Sequence, residues 1–292
     1  MVDYANLIKE IIEAEDDTII DVVWKYLCEI WNYQQYSNIK EYYSKGEEKV
    51  NKLEMFLNNT FYELYDIIYE KSLNNVLNLS GATIIMDGMS IREGNLLKKE
   101  LEEKGFKVSF SYSFSSLPST TEGFRRQHNI VDFHHVRHGK VDFDYLTGNF
   151  VIWVTYPDEL IHHVEKIVTP SEAFEKTKCV LFEILDRIES DEVKIISDHG
   201  YILTERVWAI PKGDAKFIKS IFKNERFANL SEIKPKELER LKKVPKDLSY
   251  VKIGKDWCLM RGRYSLPVGK KTIVHGGLSL MECIVPKLEV KS

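Results

Sequence analysis

The chain has 292 residues, 41 Lys+Arg against 45 Asp+Glu, 43% apolar side chains, 15 Gly and 8 Pro, the composition of one large or two modest globular domains. That excludes a disordered chain, a collagen-like repeat and a small disulfide scaffold. No apolar run approaches the roughly 18–20 residues that cross a bilayer, and charges at Asp3, Lys9, Glu10 and Glu13 break any signal-peptide core, so a soluble, cytoplasmic protein with no membrane contact is expected. Cys28, Cys179, Cys258 and Cys283 stand far apart without a C-x-x-C and read as reduced, buried thiols.

Residues 1–76 carry 15 acidic and 7 basic side chains, whereas residues 205–263 carry 16 basic and 8 acidic. All 8 histidines fall between His128 and His275. The first 76 residues read as helix, because apolar positions recur at helical spacing (Leu7, Ile11; Ile19, Val22, Val23, Tyr26; Leu53, Leu57, Phe61, Leu64). Dense aromatics there (Trp24, Trp31, Tyr33, Tyr36, Tyr42, Tyr43) suit a helical core or a surface for a protein partner. From residue 80 the pattern changes. Ala82–Met86, Lys107–Phe114, Phe150–Thr155 and Val193–Ser197 read as strands, and Arg92–Lys104 and Pro170–Ser190 as helices. Strands alternating with helices predict a mainly parallel sheet covered on both faces, with the chemistry at the carboxyl ends of its strands. Residues 205–263 read as an inserted α+β cap with helices Ala215–Lys223 and Pro235–Lys243, then strands Tyr250–Ile253 and Trp257–Arg261.

Three of these strands run into a carboxylate: ATIIM into Asp87, FVIWVTYP into Asp158, VKIIS into Asp198. A hydroxyl-rich loop, Ser115–Thr121, follows the second strand. Asp158 and His162 stand four apart where a helix can start, so both side chains share one face and reach one cation. Asp198-His199-Gly200 offers a carboxylate beside an imidazole at a strand end. His275-Gly276-Gly277 presents another imidazole from a flexible backbone. Any one of these has a structural explanation as a turn or cap; together they suggest one site.

In this order the residues resemble the alkaline phosphatase superfamily, and the segments IIMDGMSIRE, LPSTTEGFRR, YPDELIHH, ISDHGY and HGGLSLMECIVPKLEV are similar to the PglZ domain, a branch associated with BREX phage defence and with some bacterial response regulators. The resemblance covers about residues 80–203 and 272–290, and SDHGY and HGG-x-S-L-x-E-x-x-V-P are its most specific parts. It implies an alkaline phosphatase-like α/β domain over 77–292 behind an N-terminal helical region over 1–76. It also implies two divalent metals, zinc or manganese, one held by Asp87, Asp198 and His199 and the other by Asp158, His162 and His275. The reactive hydroxyl it implies is Thr121, with Ser119 and Thr120 as neighbours that could take its place. The resulting activity is phosphoester hydrolysis through a threonine nucleophile. The basic insertion favours a phosphodiester of a nucleotide or nucleic acid; a phosphomonoesterase, or a scaffold in a defence complex, is the alternative.

Around this core, Arg92, Arg125 and Arg126 follow Asp87 or Thr121 closely enough to hold phosphate oxygens. His134, His135 and His138 read as polar or pocket-lining side chains rather than a third metal cluster, His163 as a neighbour of the ligands, and Trp153 as core. Phe217, Phe222, Phe227 and Trp257, interleaved with Lys and Arg, would suit stacking of nucleic-acid bases.

Overall fold

The computed structural model describes residues 2–15, 18–162, 168–245, 249–267, 269 and 271–291. Its organising element is a six-stranded sheet of β1 (Ala82–Met86), β2 (Lys107–Phe114), β3 (His134–Val136), β4 (Phe150–Val154), β5 (Glu192–Ser197) and β6 (Ile284–Lys291) in the order β2-β6-β5-β1-β4-β3. The pairs β5-β1, β1-β4 and β4-β3 are parallel, while β6 runs antiparallel to both β2 and β5. The fold is therefore mixed α/β with a mostly parallel sheet. The central strand β1 is buried along its whole length, which is why it reads as an unbroken apolar run rather than an alternating one.

Residues ahead of the sheet form α1 (Tyr4–Glu13), α2 (Ile19–Ile30), α3 (Ile39–Thr60) and α4 (Leu64–Leu73). They do not bury their apolar faces only on each other. Trp31, Tyr42, Val50 and Leu57 share one contiguous core with Leu97 of α5 (Ile91–Glu103) and with Ile84 and Leu288 of the sheet. The join is also ionic. Arg92 at the start of α5 pairs with Glu47 of α3 at 2.9 Å, and Arg263, at the far end of the insertion, lies 3.2 Å from Glu47 and 2.8 Å from Glu54. All four side chains are fully buried.

The insertion holds α9 (Lys212–Phe222), α10 (Pro235–Lys242) and a three-stranded antiparallel sheet of Phe227–Asn229, Trp257–Met260 and Val251–Ile253 around its own small core. Phe222 is buried in that core and Phe217 packs against it beneath the Arg240 guanidinium. Neither face is open to a base, contrary to the stacking expected of them. Phe227 and Trp257 lie elsewhere: Phe227 packs against Gly276, and Trp257 meets both the Phe227 ring and Arg126.

One expected helix end shifts and one strand is new. α8 (Pro170–Leu185) stops five residues before Ser190, because the Arg187 guanidinium reaches the carbonyls of Val141 and Phe143 and Ile188–Glu189 pair with Leu146–Thr147. The C-terminal β6 was not among the expected strands, although it lies inside the sheet.

Candidate active site and metal centre

β5, β1 and β4 are neighbours that run in the same direction, so their carboxyl ends deliver Asp198, Asp87 and Asp158 to one edge of the sheet. The loops are tied there backbone to backbone. Asp87 N–H donates to the Val154 carbonyl at 2.9 Å, and Asp158 N–H to the Asp87 carbonyl at 3.1 Å. Gly88 completes the turn at φ +70°, donating its N–H to Asp198 Oδ1 at 3.0 Å; a Cβ at this position would come within 2.8 Å of the Asp158 Cβ. Gly200 is equally constrained, since a Cβ there would meet the Met281 carbonyl at 2.0 Å.

The six implied ligands gather in two groups. Asp87, Asp198 and His199 form one set and Asp158, His162 and His275 the other, each with its donor atoms within 4.8 Å of one another. His162 lies on α7 (Asp158–His162), one turn beyond Asp158, with Nε2 3.3 Å from Asp158 Oδ1. His275 Nε2 is 3.2 Å from His162 Nε2. The two groups adjoin: the His199 and His275 rings stack at 4.3 Å.

The donor set suits cations. His199 Nδ1 donates to the Gly200 carbonyl at 3.0 Å and His275 Nδ1 to the Ser119 carbonyl at 3.2 Å, which leaves both Nε2 lone pairs facing the site; such partners orient metal-ligating imidazoles. Asp158 Oδ1 is a buried oxygen with His162 Nε2 3.3 Å away. Burial, then the charges of Asp198 and Asp158, hold the Asp87 carboxyl well above its ordinary range, against hydrogen bonds from Trp153 and Thr121. Burial also raises Asp198, against the opposing field of His199 and the Gly88 amide. Burial works the same way on Asp158, but the contact with His162 opposes it and the carboxyl lies at about 2. Burial, then His199, pushes His275 down to about 3, so its imidazole is neutral. Carboxylates crowded together beside imidazole nitrogens are a donor set that borderline divalent ions bind.

The three consecutive hydroxyls have separate positions. Ser119 Oγ is buried, accepting from Gly276 N–H and donating to the Gly277 carbonyl, both at 3.0 Å, and so holds the His275 loop. Thr120 Oγ1 accepts from Gly123 N–H at 3.1 Å and caps α6 (Thr121–Gln127). Thr121 Oγ1 alone of the three faces the ligands, 2.9 Å from Asp198 Oδ2, 3.2 Å from Asp87 Oδ1 and 3.3 Å from His199 Nε2.

The arginines divide. Arg92 is not at the site: it is fully buried, ion-paired with Glu47, hydrogen-bonded to the Tyr201 carbonyl and stacked on the Tyr201 ring. Its role is to clamp the loop that carries Asp198 and His199. Arg125 lines a cavity with Asp87 and Thr121. Arg126 is exposed beside Trp257. His135 lines the same cavity as Arg125, whereas His134 and His138 are exposed, His138 against Glu159. His163 lies outside the described residues.

Sequence reasoning missed Gly88 and Trp153 as builders of the site, and it offered Ser119 as a possible nucleophile where the structure gives it the His275 loop to hold. Trp153, expected only as core, lines the cavity beside Asp87 and Thr121. Its position two residues before the end of an apolar strand gave no signal of this.

Residues 156–290 match the family model of the BREX system PglZ alkaline phosphatase-like domain, the branch whose motifs the sequence resembles. The matched stretch holds Asp158, His162, Asp198, His199 and His275; Asp87 and Thr121 precede it. No curated protein matches the chain. Among the described residues no helix is long and apolar enough to cross a membrane.

Proposed function

Because residues 156–290 are of the PglZ alkaline phosphatase-like kind, a family of phosphoesterase type, we propose that this protein is a metal-dependent hydrolase of phosphodiesters in nucleotides or nucleic acid, with Thr121 as its nucleophile. The observation that carries the reading is Thr121 Oγ1 set within 3.3 Å of Asp87, Asp198 and His199. Divalent ions in the two triads, zinc or manganese, would lower the pKa of a hydroxyl and stabilise the oxygens of an in-line displacement.

The chain's own residues then have defined tasks. Asp198 Oδ2 accepts the Thr121 proton, and Thr121 Oγ1 forms a bond to phosphorus as the bond to the leaving oxygen breaks. The alcohol departs with a proton from solvent, and water cleaves the phosphothreonine ester, restoring the hydroxyl. Ser119 keeps the His275 loop beside this centre. Arg125, four residues after Thr121 on the same face of α6, holds a non-bridging oxygen. The basic insertion, with Phe227 on Gly276, borders the anionic substrate's approach. Kinship of residues 156–290 with the BREX-associated domain supports a role in phage defence.

Turnover of bis-p-nitrophenyl phosphate and p-nitrophenyl phosphate is to be compared with zinc or manganese added. The diester is expected to be preferred, and Thr121→Ala to lose roughly a thousandfold or more in kcat while keeping its metal. Preference for the monoester would make the protein a phosphomonoesterase. Two bound metals without turnover would make it a scaffold module.

A further inference from the structure

The cavity beside Thr121 has a volume of about 260 Å³, and beyond Thr121 and Asp87 it is lined by Arg125, Phe133, His135, Arg137, Trp153 and Thr155. That is just below the roughly 300–1,000 Å³ of sites for drug-sized ligands, a size for one ring system rather than a folded polymer. Its walls are aromatic: Phe133 meets Trp153 at 5.7 Å and His135 at 5.4 Å. Its rim is cationic. The Arg125 guanidinium lies 5.0 Å over the Phe133 ring, and Arg137 Nε donates to His135 Nδ1 at 2.9 Å.

That last contact fixes a direction. Burial, then the charges of Arg137 and Arg125, holds His135 below its ordinary pKa, so the imidazole is neutral and able to accept. Arg137 spends its Nε on His135 and keeps its two terminal nitrogens for a ligand. Among the described residues neither Arg125 nor Arg137 forms an ion pair with a carboxylate. One guanidinium and two metal triads already suffice for a single scissile phosphate. A second guanidinium across an aromatic pocket has no use in that task, but suits a further anionic group joined to the first through a ring-bearing unit.

We propose that this pocket is a subsite for the nucleoside next to the scissile phosphate, with the base against Phe133 and the Arg125 guanidinium and the following phosphate on Arg137. The substrate class is then a nucleotide chain with at least one phosphate beyond the cleaved one. The proposal deepens the phosphoester reading above and rests on it for the orientation of the substrate.

Titration calorimetry on the manganese-loaded Thr121→Ala protein, which prevents turnover, is to be run with inorganic phosphate and with adenosine 3′,5′-bisphosphate. The bisphosphate is expected to bind at least about tenfold tighter, the worth of one charge-assisted contact. Adding Arg137→Gln, an exposed change that leaves the core untouched, is expected to erase most of that ratio. If the ratio is absent at the start, or if Arg137→Gln weakens both ligands equally, the subsite is overturned. The two readings fail separately. Turnover of bis-p-nitrophenyl phosphate by the unaltered protein without a bisphosphate preference removes the subsite alone, whereas the preference without turnover of any phosphoester leaves a nucleotide-binding pocket and removes the hydrolase.

Discussion

Arg263→Met tests how the N-terminal helices are joined to the rest of the molecule. The guanidinium is fully buried, 2.8 Å from Glu54 and 3.2 Å from Glu47, which are equally buried. Methionine fills most of the volume but leaves two carboxylates short of a partner. Glu47 keeps Arg92 at 2.9 Å, and Glu54 keeps only the Leu280 N–H at 2.8 Å. Breaking such a pair costs about 3–5 kcal/mol, or about 6–15 °C in Tm for a chain of this size. The exposed pair Lys52–Glu48, with side chains 63% and 50% accessible, is the control, since Lys52→Ala is worth less than about 1 kcal/mol. The sign with pH follows from Glu54. Burial already raises its carboxyl above the ordinary value, against the field of Arg263, and removing the arginine raises it further. A carboxyl with a raised folded pKa contributes stability that is present below its unfolded value and lost as pH rises. The deficit of Arg263→Met is therefore small near pH 4 and grows toward pH 8, measured by urea unfolding at each pH. Adding Glu54→Gln should recover part of it. A deficit no larger than that of Lys52→Ala, or one that shrinks as pH rises, would refute the reasoning.

Three further outcomes are expected. His275→Ala should lower bound metal and activity together, while His138→Ala, an exposed side chain outside both triads, should leave both near wild type; metal analysis of the purified variants checks this, and equal losses would mean the cluster is misassigned. Gly88→Ala places a Cβ 2.8 Å from the Asp158 Cβ at a positive φ, so it should weaken metal binding and destabilise the protein by about 1–3 kcal/mol, read by metal titration and by unfolding. Chelator-treated protein keeps Asp87 and Asp198 at raised pKa values, so its stability from these groups falls as pH rises above about 4; the gain in Tm on adding zinc or manganese should accordingly be larger at pH 8 than at pH 5.

The parts of this molecule that were legible from sequence are those whose cause is local. The strand Ala82–Met86 is an apolar run buried on both faces, and its bounds agree with the expectation. The strand Ile284–Lys291 escaped because Pro286 and the alternating Lys287 and Glu289 make it look like an edge or a loop. The structure accommodates Pro286 opposite Tyr112 of β2, one residue beyond the start of the β5 ladder at Lys287. At the site, strand-end carboxylates and the family wording together indicated both triads, but PSTT offered three equivalent hydroxyls. The family resemblance preferred Thr121, and the tertiary partners of Ser119 and Thr120 give those two hydroxyls other tasks. Arg92 misled for a related reason: its nearness to Asp87 is visible in the chain, and its partner Glu47, 45 residues earlier, is not.

The antiparallel β6 has a consequence for biosynthesis. Among the described residues it is the strand that links β2 to β5 in the sheet, so a growing polypeptide on the ribosome that has emerged only to about residue 280 has no seat for β2 beside the other strands. The loop after β2 carries Thr121, and the segment ahead of β6 carries His275. β2 and the segment that carries His275 are thus seated by the same event, and a partly synthesised chain holds Asp87, Asp158 and Asp198 at its strand ends before β2 has joined the sheet.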